Sequence, residues 1–416
     1  MSTYRLFLTA CCTFFLCSCM ATPEIHLKSA DMSMELTQAA PLVRSVAFSP
    51  DMQFALSGST NDTATLWDLT AATAVRTFSA PRGYMGDGLI VAFSKDGLYG
   101  MTGGKGLKIW DLSTGGEVRT IGNRRTMSIA VSPDKQSVLT GEWPSGVVSI
   151  THPYMSLWDM NTGRQIRGYE DSERSAVGTV AFSPDGRYAL SGHRGGKMFL
   201  WDVASGNMIN SVKADRDFLA PDINSVAFSP NGKYALSGGM DNTLRLWNIP
   251  SLILVKEFHG HTGTIGISSV AFSPDGKYAL SGGWYDGFIK LWNLSTGAEI
   301  RSIKAHSSMI AVSSLAISPD GKFILSGGDA STRIWDFSTG EEVCTMISFK
   351  DGEWVVITAN GYYNSSEKGD QYLSVTVGGK PYTISQLRES FYRPDIVKLA
   401  LSGGSLKSYA KLSDIK

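Results

Sequence analysis

Cysteine is scarce in the body of this chain of 416 residues. Four of its five cysteines lie within the first 19 residues, and only Cys344 lies beyond them. A disulfide framework is therefore not expected. Histidine is also rare, and only His259 and His261 are close together, with Gly260 between them. No other two histidines have a metal-like spacing, so we expect neither a metal nor a cofactor.

Neither sign of charge is in excess, because 38 Lys and Arg residues balance 38 Asp and Glu residues. A neutral chain has no long-range field to attract nucleic acid or an anionic membrane surface. We therefore expect no nucleic-acid partner, although a local basic patch is compatible with this composition.

The apolar run from Leu6 to Leu16 is too short to span a bilayer and follows a single positive charge, Arg5. This pattern predicts a signal peptide over residues 1–18, followed by a polar tether over residues 19–40.

Residues 16–19 resemble the cleavage box of bacterial lipoproteins, in which a small residue precedes a cysteine that is lipidated. The resemblance implies lipid attachment at Cys19 and a place on the periplasmic face of the outer membrane, with contact to the membrane only through the lipid. Ordinary cleavage near Ala21, which gives a soluble periplasmic or secreted protein, is the alternative.

Residues 41–347 contain seven copies of one unit, of which the clearest runs from Val270 to Ile303. Each copy reads as four short strands separated by turns. Pro274, Asp275 and Gly276 illustrate one turn, since Pro presets φ, Asp bonds to the backbone and Gly tolerates positive φ. A tryptophan ends the third predicted strand of every copy: Trp67, Trp110, Trp158, Trp201, Trp247, Trp292 and Trp335. One copy cannot bury both of its faces, so the copies must stack into a closed ring.

The 43- to 48-residue tryptophan spacing and the turn pattern resemble the WD-repeat family. The resemblance implies an all-β fold, a seven-bladed β-propeller of four-stranded antiparallel blades. A small α+β C-terminal extension follows over residues 348–416. We expect that a segment around Met34 to Leu36 could pair with the last blade to fasten the ring.

The resemblance also implies a buried structural tetrad of His, Ser, Asp and Trp in a blade. The sixth copy matches it at His261, Ser281, Asp286 and Trp292, and the seventh at His306, Ser326, Asp329 and Trp335. Ser, His and Asp also occur in catalytic triads, but the tryptophan partner favours a structural role. The other five copies lack the histidine and are expected to depend on packing alone.

An Asp or Asn follows the tryptophan in every copy. Each is isolated, without the run of oxygen ligands that calcium requires. Hydrogen bonding at the strand end is therefore the favoured interpretation.

Loops on such scaffolds usually carry the function. The loop in the third copy, residues 142–155, is about twice the usual length. We predict partner binding on the face that carries this loop and its counterparts, through Trp143, His152, Tyr154, Arg194, Met240, Trp284 and Tyr285. A non-catalytic protein-binding scaffold is the leading hypothesis. A module that binds cell-wall polysaccharide is the alternative, and a propeller hydrolase or lyase is less favoured.

The segment after Ile347 resembles the tail of bacterial WD-repeat proteins, some of which carry a caspase-like peptidase. Cys344 lacks the surroundings of that nucleophile, so we expect no protease activity. We predict strands at Glu353 to Thr358 and Tyr372 to Val377, a helix capped by Ser385, and a second helix after Pro394. The tail is interpreted as a packing or docking appendage.

Overall fold

The computed structural model describes residues 24–29, 32–81, 88–143, 154–170, 175–217, 221–263, 265–306, 312–377 and 380–409. The predicted signal peptide, the predicted lipid-attachment residue Cys19 and the candidate contact His152 lie outside these residues.

The strands follow the predicted repeat closely. Two strands, β1 (Glu24–Ser29) and β2 (Met32–Leu36), precede it. Blade 1 contains β3 (Val43–Phe48), β4 (Phe54–Ser59), β5 (Thr63–Asp68) and β6 (Thr73–Ser79). Blades 2 and 3 contain β7 (Ile90–Phe93), β8 (Tyr99–Asp111), β9 (Glu117–Val131), β10 (Ser137–Trp143), β11 (Met155–Asp159) and β12 (Gln165–Tyr169).

The next four blades each have four strands of their own. Blade 4 contains β13 (Val177–Phe182), β14 (Tyr188–His193), β15 (Lys197–Asp202) and β16 (Met208–Lys213). Blade 5 contains β17 (Ile223–Phe228), β18 (Tyr234–Gly239), β19 (Thr243–Asn248) and β20 (Leu254–His259). Blade 6 contains β21 (Ile267–Phe272), β22 (Tyr278–Gly283), β23 (Phe288–Asn293) and β24 (Glu299–Lys304). Blade 7 contains β25 (Ser314–Ile317), β26 (Phe323–Gly327), β27 (Thr332–Asp336) and β28 (Glu342–Ser348).

The C-terminal tail adds strands and helices after blade 7. It contains β29 (Trp354–Thr358), β30 (Tyr363–Ser365), a 3-10 turn (Gly369–Tyr372), β31 (Leu373–Val377), β32 (Lys380–Thr383), α1 (Ile384–Phe391) and α2 (Pro394–Leu401). The fold is the predicted all-β propeller with a small α+β extension. No helix among the described residues is long and apolar enough to cross a membrane.

Serine or threonine hydroxyls on the inner strands connect neighbouring blades around the ring. Each accepts a hydrogen bond from a backbone N–H on the inner strand of the next blade, at 3.0 to 3.2 Å. The donor and acceptor pairs are Val91 and Ser45, Val180 and Ser128, Val226 and Thr179, Val270 and Ser225, Leu315 and Ser269, and Val46 and Ser314. The last pair joins blade 7 to blade 1, so the ring is closed.

The junction between blades 2 and 3 is the exception. Ile90 occupies the serine position, and the single 15-residue strand β9 serves both blades. It pairs with β8 of blade 2 through its first half and with β10 of blade 3 through its second half. The two blades therefore form one six-stranded sheet, instead of the two separate four-stranded units that the repeat predicts.

A second set of polar contacts runs around the outside of the ring. A long side chain on the outer strand of one blade donates to a backbone carbonyl in the last turn of the next blade. The donors and carbonyls are Arg76 and Thr114, Arg119 and Thr162, Arg167 and Ser205, Asn210 and Ser251, Lys256 and Ser295, and Arg301 and Phe337.

Blade 7 has Cys344 at this position, opposite Ile334 in the strand pair, just as Arg301 is opposite Leu291 in blade 6. Cys344 is fully buried, because β29 of the tail pairs with β28 and covers it. Burial raises the pKa of its thiol. Asn364 in β30 makes the contact instead, donating to the carbonyl of Ala72 in blade 1 at 2.8 Å. The tail thus completes the outer set of contacts between blades 7 and 1.

The N-terminal segment does not pair with the last blade, and this expectation was wrong. β2 pairs with β31 of the tail, and β1, β2, β31 and β32 form a separate four-stranded sheet. Blade 7 is unavailable to β2 because β29 and β30 already extend its outer edge.

Both predicted tail strands are confirmed by β29 and β31. The predicted helix cap was wrong by two residues. Thr383 caps α1, and its backbone N–H donates to the side chain of Gln386 at 2.8 Å. Pro394 begins the second helix, as its fixed φ favours.

Candidate functional site

A buried hydrogen bond from the blade tryptophan is present in all seven copies. Each indole N–H donates to a serine or threonine hydroxyl on the second strand, at 2.8 to 2.9 Å. The pairs are Trp67 and Ser57, Trp110 and Thr102, Trp158 and Thr140, Trp201 and Ser191, Trp247 and Ser237, Trp292 and Ser281, and Trp335 and Ser326. This bond joins the second and third strands of six blades, whereas in blade 2 both residues lie on the long strand β8.

Blade 6 extends the bond into the full tetrad. His261 Nε2 lies 2.7 Å from the Ser281 hydroxyl, and His261 Nδ1 lies 2.7 Å from a carboxylate oxygen of Asp286. The carboxylate only accepts, so Nδ1 carries a proton and Nε2 accepts from Ser281. Burial opposes the charge on Asp286, but bonds from His261 and the Phe288 N–H lower its pKa below 3.8.

Blade 7 repeats this arrangement. His306 lies 2.9 Å from the Ser326 hydroxyl and 2.8 Å from Asp329. Burial lowers the pKa of His306, against the opposing effect of Asp329.

The geometry of these groups does not suit acyl transfer. Ser281 and Ser326 have no solvent-exposed surface, and each hydroxyl already accepts the indole N–H of its tryptophan. A nucleophile must reach a substrate carbonyl. The tetrads therefore connect strands within the blade.

The tryptophan bond is also present in the five blades that lack the tetrad, so the expectation that they depend on packing alone was wrong. In blades 3 and 4 a further side chain extends the bond. In blade 4, His193 Nε2 lies 2.7 Å from Ser191, and its Nδ1 lies 3.0 Å from Ser175. This histidine comes from the end of β14 and not from the preceding loop. The signal was readable, since His193 follows Ser191 by two residues and must lie on the same face of the strand.

In blade 3 the equivalent position is an acid. The Thr140 hydroxyl donates to the Glu142 carboxylate at 2.9 Å, and Arg124 lies 3.6 Å from the same group. Glu142 is only 4% exposed. Burial raises its pKa, against the opposing effects of Thr140 and Arg124.

The aspartates that follow the blade tryptophans accept hydrogen bonds from the backbone of the next turn. Asp111 accepts from Thr114 at 2.9 Å, Asp202 from Ser205 at 2.8 Å and Asp336 from Thr339 at 2.7 Å. The predicted role at the strand end is confirmed at these positions. No cluster of metal-ligating side chains occurs in the described part of the chain.

The loop-bearing face is defined here by the loops between second and third strands and the loops that enter each first strand. Trp143 lies on this face at the end of β10, and the guanidinium groups of Arg125 and Arg194 lie 5.5 and 5.1 Å from its ring centroid. Arg194 is exposed and lies 4.0 Å from Asp222 of blade 5. The structure thus brings the predicted residues Trp143 and Arg194 together.

Trp284 of blade 6 makes a similar contact on the same face. Arg44, from the first strand of blade 1, lies 4.6 Å from its ring centroid. Trp284 and Trp143 are both partly buried. Sequence reasoning missed Arg44 and Arg125 because their partners are distant in the chain or opposite in the sheet.

The remaining predicted contacts differ in accessibility. Tyr154 is only 4% exposed and packs in the core between blades 3 and 4, so it is not available to a partner. Met240 and Tyr285 are partly buried. The Met240 sulfur lies 3.8 Å from the side-chain amide of Asn224.

Comparison with known proteins supports the repeat. Five segments match the family model "WD domain, G-beta repeat": residues 33–68, 163–202, 215–248, 252–293 and 297–336. These segments correspond to blades 1, 4, 5, 6 and 7. Residues 69–162, which contain most of the fused blades 2 and 3, fall between the first two matches.

Curated relatives are similar to part of the chain. The guanine nucleotide-binding protein subunit beta of Oryza sativa subsp. japonica is 27% identical over 187 residues, which is 41% of this chain and 47% of the relative. The subunit from Zea mays has the same identity and coverage. Autophagy-related protein 16 of Arabidopsis thaliana is 25% identical over 172 residues, 40% of this chain and 31% of the relative.

The chain therefore spans less than half the length of these relatives. The family matches agree with the tryptophan-centred blades and the closed ring of inner strands. Five of the repeating units match the WD-repeat family model, and the seven units together form a β-propeller.

Proposed function

We propose that this chain is a non-catalytic scaffold that binds a partner protein through the loop-bearing face. The observation that carries the proposal is the pair of arginine-contacted tryptophans on that face, Trp143 with Arg125 and Arg194, and Trp284 with Arg44. Tryptophan and arginine are the residues that most often dominate the energy of protein interfaces. A ring held by a cation–π contact also loses little freedom on binding.

A scaffold role is also supported by the relatives. One is named as a subunit of a guanine nucleotide-binding protein, and the family model that matches this chain is described as a WD domain, G-beta repeat. The serine–histidine–aspartate groups give no support to an enzyme, because their hydroxyls are buried against tryptophan. Polysaccharide binding at Trp143 and Trp284 is less favoured, since arginines lie over the rings on which a sugar would stack.

The proposal places the scaffold in the bacterial cell envelope, attached through a lipid at Cys19. The support is the resemblance of residues 16–19 to a lipoprotein cleavage box. Cys19→Ser should move the protein from the membrane fraction to the soluble fraction. An unchanged membrane fraction in this variant would contradict the lipid attachment.

The partner-binding face is tested by cross-linking in living cells, followed by purification and mass spectrometry. Trp143→Ala combined with Trp284→Ala should remove partners that the wild type captures. The matched control is Leu98→Ala combined with Ile253→Ala, since both side chains are large, apolar and more than 60% exposed. Both belong to turns on the opposite face. Capture that is unaffected by the tryptophan variant, or equally reduced by the control, would contradict the proposal.

A further inference from the structure

Blade 3 contains a cleft of about 210 Å³ that has no role in the proposed protein contact. The cleft lies beside the blade tryptophan, between the outer strand of blade 2 and the third strand of blade 3. Its lining among the described residues includes Asn123, Arg124, Glu142, Ser156, Trp158 and Gln165.

The equivalent space in blade 6 is filled. Lys290 occupies the position of Ser156, and Glu299 occupies that of Gln165. Lys290 and Glu299 form an ion pair at 2.8 Å across the strands. Arg245 in blade 5 and Arg333 in blade 7 hold the same position and also pair with acids. Lys108 in blade 2 pairs with Glu117 in the same way. The short side chain of Ser156 therefore opens a space that four other blades close.

The segment that leads into the first strand also differs between blades 6 and 3. In blade 6, a loop that contains Gly260 and His261 covers Trp292, and a Cβ on Gly260 would lie 3.0 Å from its ring. Trp292 is consequently only 2% exposed. Blade 3 has no such loop, because β9 runs directly from blade 2 into blade 3, and Trp158 stays partly exposed.

Among the described residues, the cleft is lined by one positive group, Arg124, and one negative group, Glu142. Their charged atoms lie 3.6 Å apart. Arg124 only donates hydrogen bonds, ionised Glu142 only accepts them, and Asn123, Ser156 and Gln165 do both. An anion would meet the carboxylate of Glu142, and a cation would meet the guanidinium of Arg124. A neutral ligand with several hydroxyl groups matches this alternation of donors and acceptors.

The ring of Trp158 supplies an apolar surface beside these polar groups. A pyranose ring presents hydroxyls at its edge and C–H groups on its faces, so it needs both kinds of contact. We infer that the cleft binds one neutral sugar residue, such as a unit of a polysaccharide or glycan. The inference does not depend on the proposed protein scaffold, which uses other residues.

Saturation-transfer difference NMR on the full chain tests this inference. The probes are glucose, galactose and N-acetylglucosamine, with glucosamine and glucuronate as cationic and anionic analogues. At least one neutral sugar should bind the wild type with a Kd of about 1 to 10 mM, and more tightly than either charged analogue. Absence of binding by all three neutral sugars, or equal binding of the charged analogues, would overturn the inference.

The blocking variant is Ser156→Lys combined with Gln165→Glu, which copies the filled pair of blade 6. It should weaken sugar binding at least about tenfold. Asn123→Trp blocks the cleft from its exposed rim and provides a second variant that leaves the buried residues unchanged. The control is Asn161→Lys combined with Gln53→Glu, with the same charge change at exposed positions, and it should bind as the wild type does. Undiminished binding in the folded blocking variants would overturn the inference.

Discussion

Blades 6 and 3 are built on the same bond and differ in almost everything around it. Both have a tryptophan that donates to a hydroxyl on the second strand at 2.8 Å. Blade 6 continues to His261 and Asp286 and covers its tryptophan with a loop. Blade 3 ends at Glu142 and leaves Trp158 partly exposed. The tryptophan bond is therefore sufficient to define a blade, while the groups beyond it can change.

The largest difference between the two blades is expected on removal of the tryptophan. Trp292→Ala should lower the free energy of unfolding by about 3–5 kcal/mol, because a large, fully buried ring is lost. Trp158→Ala should cost about half as much, since part of that ring already contacts solvent. Denaturant unfolding followed by circular dichroism measures both values. Equal losses would show that the exposure of Trp158 has no energetic consequence.

The entry into each blade provides the second comparison. Gly266 and Gly122 both have positive φ, 66° and 64°. A Cβ on Gly266 would lie 2.1 Å from the carbonyl oxygen of Gly239, whereas one on Gly122 would lie 3.4 Å from Trp158. Gly266→Ala should therefore destabilise by about 3 kcal/mol, and Gly122→Ala by about 1 kcal/mol from backbone strain alone. Thermal unfolding midpoints would rank the two, and the reverse order would contradict the close approach in blade 6.

Asp286 and Glu142 are the acids that end the hydrogen-bonded chains of blades 6 and 3. Replacing each acid by its neutral amide should affect stability differently. Asp286→Asn should destabilise by about 1.5–3 kcal/mol at neutral pH, since His261 and two backbone N–H groups stabilise the carboxylate. Glu142→Gln should change stability by less than about 1 kcal/mol, because the amide oxygen still accepts from Thr140 and no charge is buried. Unfolding curves of both variants against wild type test this, and a larger loss for Glu142→Gln would contradict it.

The smallest expected effect is the pH dependence of folding stability that Glu142 and Asp286 cause. The two acids act in opposite directions. Burial raises the pKa of Glu142 above 4.5 in the folded protein, so its contribution to stability is present below that pH and is lost as pH rises through the raised pKa. Asp286 has a lowered pKa, so its contribution is present above 3.8 and is lost as pH falls through the lowered value.

The difference in stability between wild type and Glu142→Gln should therefore shift in favour of the variant as pH rises above 4.5. Unfolding curves at several pH values measure it. A constant difference across this range would show that Glu142 titrates normally.

Much of the fold could be predicted from the spacing of a few residues. The tryptophans recur in all seven copies, and the turns related to Pro-Asp-Gly recur at the same period, so each has a local role in the structure. The tetrads of blades 6 and 7 could be predicted in the same way. His193 was missed because the histidine was expected in the loop before the first strand. Its spacing of two residues from Ser191 nevertheless puts both side chains on the same face of β14.

The contacts on the loop-bearing face were predicted less completely. Trp143, Arg194 and Trp284 do lie in contact with other side chains on one face. The arginine that contacts each tryptophan could not be predicted, because it depends on which blades are neighbours. Arg44 of blade 1, for example, reaches across blade 7 to Trp284 of blade 6. Tyr154 was wrongly predicted to be accessible, because residues in the long loop of blade 3 cannot be assigned to core or surface before the packing of blades 3 and 4 is known.

The repeat pattern was sufficient to predict the number of blades, the four strands of blades 1, 4, 5, 6 and 7, and the tetrads of blades 6 and 7, because these depend on residues within one period. How the ring is completed depends on contacts between segments that are distant in the chain. Cys344 replaces the long polar side chain of the other outer strands because β29 covers it, and Asn364 then makes the missing contact with blade 1. The fusion of blades 2 and 3 and the cleft beside Trp158 were decided in the same way, by contacts between segments that no local pattern connects.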